Sequence, residues 1–244
     1  PDTVEIMLVD MADKVLGPFS EGSSAYTEEE LRKRGVNVVL SKSVKEVKPD
    51  GVILKSMGEA GTEDWVPAAA VLWASGVTVP KAAANWNVPQ VRGGRIPVSD
   101  RLRVNDLGNV FAVGDVAAIN DDVLPQLAQP AKQTGSHAAK VIHGLVHGGD
   151  PGPFKYTDLG FMATIGRADA VAEVTKLPDM KGFPAWMMWN VVHIATLMGG
   201  RNRLSSMVNL GMKYILWGQN HNLIVGDISD ISKNAIEGPM SAAT

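Results

Sequence analysis

The chain has 244 residues, 45% of them hydrophobic, a mean hydropathy near zero and a formal net charge of −3. That is enough apolar material to bury a sizeable core in one large domain or two small ones, while the charge and the lack of a basic block with interleaved aromatics exclude a nucleic-acid footprint, so no nucleic-acid partner is expected. Without cysteine there is no disulfide framework, thiolate metal site or redox dithiol, and five scattered histidines with no acids spaced around them give no metal site.

Residues 4–10, Val-Glu-Ile-Met-Leu-Val-Asp, read as an apolar strand ending in an acid. In a nucleotide-binding βαβ unit such an acid holds a ribose, about twenty residues after a Gly-x-Gly-x-x-Gly turn; the plainer alternative for Asp10 is a loop acid after an edge strand. No glycine-rich turn precedes it, so the sequence is expected to begin inside such a unit. Residues 20–35 predict a helix with Ser23 or Ser24 near its start, acids at Glu28 to Glu30 and a basic end closed by Gly35. A short parallel strand at 36–40 follows. Residues 43–47 and 51–55 then form a hairpin through Lys48-Pro49-Asp50, with a third strand at 65–67 beyond a polar loop at 56–64. Residues 71–77, Val-Leu-Trp-Ala-Ser-Gly-Val, are expected to be another apolar strand, closed by a turn where Gly76 allows close backbone approach. The Pro-, Gly- and Asn-rich stretch 79–96 is a crossing segment.

The stretch Val110-Phe111-Ala112-Val113-Gly114-Asp115-Val116-Ala117 carries the most chemistry. Its first four residues read as a buried strand that stops at a Gly-Asp pair. Gly114 has no Cβ to keep a ligand from the backbone, and Asp115 sits outside the carboxyl end of a strand, where it can accept from a polyol hydroxyl. A helix over 126–147 follows, its N-terminus carrying unpaired N–H groups and a partial positive charge. Leu127, Ala131, Ala138, Ile142 and Leu145 form its expected packing face, and Gln129 and Gln133, four apart, share another that can line a pocket for a carbonyl-bearing substrate.

These residues carry a resemblance. Phe111-Ala112-Val113-Gly114-Asp115 looks like the second FAD fingerprint of flavoproteins with two dinucleotide-binding domains, and Ala128-Gln129-Pro130-Ala131-Lys132-Gln133 resembles the quinone-site motif of type II (non-proton-pumping) NADH dehydrogenases. Trp73-Ala74-Ser75-Gly76 is similar to the family's Trp-Ala-x-Gly segment. The likeness runs over residues 4–226 and matches the later half of such an enzyme. It implies an α/β, Rossmann-like fragment of a two-dinucleotide-binding-domain flavoprotein, with FAD as cofactor and NADH as substrate. Gly114, Asp115, Val116 and Ala117 would lie at FAD, Asp10 at the ribose of NADH, and Ala74 and Gly76 near both. Ala128, Gln129, Ala131 and Gln133 would border a membrane quinone, with Lys132 facing solvent, phospholipid or the pocket. NADH would deliver a hydride to FAD and the electrons would pass to the quinone, in a ping-pong sequence without proton pumping. An acid at position 10 disfavours a 2′-phosphate and so favours NADH over NADPH.

The breaker cluster His147-Gly148-Gly149-Asp150-Pro151-Gly152-Pro153 is a subdomain boundary, followed by short strands at 154–157, 160–166 and 168–174. Residues 181–226 contain no acid, but carry Lys181, Arg201, Arg203 and Lys213 and three of the six tryptophans, Trp186, Trp189 and Trp217. A cationic, tryptophan-bearing segment is what an anionic bilayer surface attracts. Its expected helices at 184–198, polar only along Asn190, His193 and Thr196, and at 203–217 are shorter than a spanning helix. They read as C-terminal amphipathic helices lying on the membrane, with a homodimer interface or a packed helix pair as the alternative; His193 reads as a surface or packing histidine. The expected organisation is a partial NADH-binding domain (1–78), part of an FAD-binding domain (79–150), interface strands (151–180) and a membrane-anchoring region with its tail (181–244). The protein would be peripheral, on the cytoplasmic face of the cell membrane. Two rival readings are a soluble FAD-dependent ferredoxin or rubredoxin reductase, which would lack the Gln pair and apolar tail, and an inactive membrane-associated fragment.

Overall fold

The structure is a computed structural model that describes residues 4–58, 62–105, 107–119 and 124–215. Part of the polar loop (59–61), Trp217 with the rest of 216–226, and the tail to 244 lie outside the described residues. The backbone divides into two compact units, Pro1–Trp189 and Asn190–Thr244. The first is mixed α/β with parallel βαβ pairing, as the sequence pattern requires.

Strand β1 (Ile6–Val9) pairs in parallel with β2 (Val36–Val39), and α1 (Glu21–Lys33) is the crossover between them. The helix starts where Ser20, not Ser23 or Ser24, caps it: the Ser20 hydroxyl accepts from the Ser23 N–H at 3.3 Å. Ser23 and Ser24 are instead buried with Thr27, and the Ser24 hydroxyl donates to the Val15 carbonyl at 2.7 Å. Glu21 in the first turn and Arg32 and Lys33 in the last complement the helix dipole. The expected hairpin is β3 (Lys42–Lys48) against β4 (Gly51–Ser56), and β5 (Glu63–Pro67) completes an antiparallel meander. Val52 and Leu54 of β4 are buried, and ion pairs Lys42–Asp64 and Lys45–Glu63 tie the outer strands together.

Two expected strands in the first half of the chain do not form. Residues 71–77 have no ladder partner among the described residues, and Leu72 and Trp73 are exposed at 94% and 65%. Apolar sequence alone makes no strand without a neighbour to satisfy its backbone groups. Among the described residues, residues 110–113 make only the isolated bridge Arg103↔Phe111, flanked by bonds from the Val104 N–H to the Val110 carbonyl at 2.9 Å and from the Ala112 N–H to the Leu102 carbonyl at 3.2 Å. The regular strand comes later: β7 (Ala117–Ile119) runs parallel to β6 (Ile96–Val98). Ile96, Val98, Leu102, Val104, Ala112, Ala117 and Ile119 form a core with Ala138 of α2 (Ala128–His147).

The buried face of α2 is Pro130, Thr134, Ala138 and Val141; of the expected packing face Ala138 is buried and Ala131 half-buried, while Leu127, Ile142 and Leu145 are exposed. After the breaker cluster, residues 154–157, an expected strand, form no ladder among the described residues. Strands β8 (Gly160–Gly166), β9 (Asp169–Val174) and β10 (Met180–Lys181) then form an antiparallel sheet. Buried Ala170 and Ala172 of β9 pack with Ala185, Met162 and Trp186. Helix α3 spans Phe183–Thr196 and α4 spans Gly200–Ile215. In the second unit Val191, Met198, Leu204, Val208 and Met212 are all at least half exposed. Asn190 is half-buried while His193 and Thr196 are exposed. Among the described residues no helix is long and apolar enough to cross a membrane.

Candidate functional site

The Gly-Asp pair forms a tight turn, residues Gly114–Val116, that feeds directly into β7. Gly114 has φ +67°, a conformation glycine adopts without strain. A Cβ there would meet the Ala131 Cβ of α2 at 3.2 Å, so the turn and the helix approach as closely as backbone allows. Thr134, fully buried, locks the approach: its hydroxyl accepts from the Gly114 N–H at 3.0 Å and donates to the Pro130 carbonyl at 2.7 Å. Asp115 points outward, exposed, and its carboxylate takes no hydrogen bond from the described residues. Val116 is half-buried and Ala117 buried. The turn is thus a backbone cradle with an available carboxylate beside it. Such a cradle fits a dinucleotide cofactor: it offers close backbone approach and an acceptor for a polyol hydroxyl.

Helix α2 begins without a side-chain cap at Leu127. No described group accepts from the Ala128 or Gln129 N–H, which leaves the positive end of the helix dipole open beside the cradle. Ala128 is exposed, and Gln129 and Ala131 are half-buried. Gln133 is engaged: its amide nitrogen donates to the Thr157 carbonyl at 2.9 Å and its oxygen accepts from the Thr157 N–H at 3.0 Å. This two-point clamp holds the ladderless 154–159 segment against α2. Thr134 and Thr157 escaped the sequence reading, since a threonine inside a helix and a polar residue in a loop carry no local signal of a tertiary bond. Lys132 is exposed.

Asp10 stands just past the carboxyl end of β1, exposed. One carboxylate oxygen accepts from the Ala12 N–H at 3.0 Å, which orients the side chain at the mouth of a cleft of about 270 Å3 lined by Leu8, Val15, Thr27, Leu31 and Thr164. Ala74 and Gly76 are exposed, with Gly76 at φ +105°. A larger apolar groove of about 480 Å3, walled by Trp86, Ile96, Val104, Phe111 and Val113, reaches Val116 at the turn.

The half of the first unit that bears Asp10 is tied to the β8–β9–β10 sheet through α1. Buried Asp169 accepts from the Tyr26 hydroxyl at 2.9 Å and from Arg34 Nη2 at 2.7 Å. Burial first, and the Asp169 carboxylate second, push the Tyr26 hydroxyl up to about 12. Glu173 accepts from the Ser20 N–H and hydroxyl at 3.0 and 2.6 Å. Burial works against its charge, but the Ser20 donors and the nearby Lys181 outweigh it and hold the carboxyl below the usual range.

Residues 3–135 match the family model described as pyridine nucleotide-disulphide oxidoreductase, and residues 159–219 match the NDH2 C-terminal domain. The chain is 33% identical over 224 residues to a type II NADH:quinone oxidoreductase, NdhA, of Mycobacterium tuberculosis, covering 88% of this chain and 47% of that protein. It is 31% identical to the mitochondrial internal alternative NAD(P)H-ubiquinone oxidoreductase A1 of Arabidopsis thaliana, over 85% of this chain and 43% of the relative. The chain therefore spans about half the length of the curated relatives it matches. In fold it is similar to the structure of NDH2 from Plasmodium falciparum in complex with NADH, with a TM-score of 0.79 at 17% identity, covering 87% of this chain and 58% of that one. The sulfide:quinone oxidoreductase of Aquifex aeolicus superposes with a TM-score of 0.62 at 16% identity.

Proposed function

Because the chain belongs to the pyridine nucleotide-disulphide oxidoreductase family and carries an NDH2 C-terminal domain, we propose that it forms the flavin- and quinone-facing part of a type II NADH:quinone oxidoreductase. The observation that carries this reading is the cradle: Gly114 pressed against Ala131 of the motif-bearing helix, braced by Thr134, with Asp115 left available. FAD, when bound, supplies the hydride acceptor for NADH and the two-electron donor for a quinone. Asp115 holds the ribityl chain and Gly114 admits the cofactor to the backbone, while Val116 and Ala117 floor the site. The open N–H groups of Ala128 and Gln129 would offer donors and positive potential to a bound flavin ring. Asp10 accepts from the adenosine ribose of NADH, and Ala74 and Gly76 line the passage between the two cofactors. Ala128, Gln129 and Ala131 border the quinone head group, and Gln133 shapes that border through the Thr157 segment its amide holds. The protein acts by positioning and electrostatics, with no side chain required as a strong acid or base.

Residues 181–226 dock the protein on the membrane surface, and no spanning segment is invoked. The half-exposed Val191, Leu204, Val208 and Met212, together with the acid-free composition, favour this over a soluble ferredoxin or rubredoxin reductase. In rapid mixing, Gln133→Ala lowers flavin reoxidation by quinone more than flavin reduction by NADH. Equal loss of both half-reactions defeats the assignment. Removal of residues 182–244 abolishes sedimentation with anionic vesicles, and unchanged sedimentation refutes the anchor.

A further inference from the structure

Arg95 is a buried cation with no counter-charge among the described residues, and its place in the fold gives it a task. It is 7% exposed, makes no ion pair with a described residue, and donates from Nη1 to the main-chain carbonyl of Leu124 at 2.9 Å. Burying most of an arginine side chain is costly unless an anion or hydrogen bonds offset it, which marks Arg95 as a charge that a ligand can use.

Its surroundings are the proposed flavin site. Ile96 pairs with Ala117 in the parallel register of β6 and β7, so Arg95 stands level with the end of the Gly114–Val116 turn. The carbonyl it holds lies three residues before Leu127, where α2 starts without a side-chain cap. Arg95 thus joins the strand end that is level with the turn to the approach of α2, whose first turn carries the positive end of the helix dipole. Asp115, in the turn that leads into β7, forms no ion pair with a described residue. A neutral ligand gains nothing from this arrangement. A ring that becomes anionic when it takes up two electrons does.

We propose that Arg95 is the counter-charge of the reduced flavin and sets its potential. This rests on the FAD reading above. The residue acts on the electron-accepting step through its field, and through the Leu124 carbonyl it fixes the approach to α2. Differential binding of the two redox states is what shifts a potential: a tenfold loss of affinity for the reduced form alone lowers a two-electron couple by about 30 mV.

The test uses the native, FAD-loaded protein that carries this sequence and reads potential instead of turnover. Spectroelectrochemical titration of Arg95→Gln, which keeps a donor for Leu124 but loses the charge, gives a midpoint lower by about 30 mV or more, whereas Arg95→Lys stays near the parent value. A flavin-loaded Arg95→Gln protein at the parent potential overturns the proposal. Should that variant fail to fold, the parent protein decides alone: a potential that falls by about 30 mV per pH unit near neutrality means one proton per two electrons and an anionic reduced ring. A slope of about 60 mV per pH unit means a neutral reduced ring and overturns the proposal. A native protein without FAD refutes the FAD reading itself, a distinct result.

Discussion

Replacing Asp169 by alanine removes the one acceptor shared by Tyr26 and Arg34, and with it the strongest link between α1 and the β8–β9–β10 sheet. The Asp169 side chain is 8% exposed and that of Arg34 36%. A hydrogen bond to a buried charged group contributes about 1.5–3 kcal/mol, which is the expected loss on the Tyr26 side. The Arg34 side contributes about 0.5–1 kcal/mol, because that guanidinium is partly solvated and keeps Glu30 at 2.8 Å. The sum is a loss of roughly 2–4 kcal/mol, read as a lower urea midpoint at unchanged slope. The double substitution with Tyr26→Phe should be less damaging than the two single losses added together, since one bond is counted twice. Tyr26 should also titrate below about 12 in the variant, yet above 10, because burial is the larger cause of its shift. A stability change under about 0.5 kcal/mol, the size of an ordinary surface substitution, or a Tyr26 titration that does not move, refutes the idea that this carboxylate joins the two parts.

The neighbouring Glu173 gives a pH signature. Its folded-state carboxyl lies below the ordinary value of 4.5, so its bond to Ser20 stabilises fully above that value and is lost as pH falls through the lowered one. The stability gap between the parent and Glu173→Gln should therefore be constant from neutral pH to about 5 and close on further acidification; a gap that widens toward acid contradicts the assignment. At the cradle, Gly114→Ala forces a Cβ into a φ of +67° and to 3.2 Å from the Ala131 Cβ. The conformational cost alone is about 1–2 kcal/mol, and FAD affinity should fall with it; an unchanged thermal midpoint shows that the turn has room to relax.

Local rules carried much of this fold into the sequence. The apolar strand before Asp10, the charge order along α1, the φ > 0 glycine at position 35 and the meander of residues 42–67 all follow from short-range pattern and turn chemistry. The Gly-Asp turn and the helix after it were legible for the same reason, as residues whose type is dictated by close backbone approach. Hydrophobicity misled where packing is set by distance. The turn at Gly114 comes close to α2, so Thr134 is buried beside it and Ala138 is buried as expected, while Ile142 and Leu145 of the expected packing face stay out. Residues 71–77 show the converse, since an apolar run becomes a strand only beside another strand. The Tyr26–Asp169 and Ser20–Glu173 bonds join residues 143 and 153 positions apart, a separation at which no local pattern signals a pairing.

Anaerobic titration of the native protein carrying this sequence, followed through flavin absorbance, tests the central claim most directly. Bound FAD should bleach on addition of NADH and regain its colour when a quinone is added. A protein that holds no flavin, or whose flavin is untouched by NADH, contradicts the oxidoreductase account.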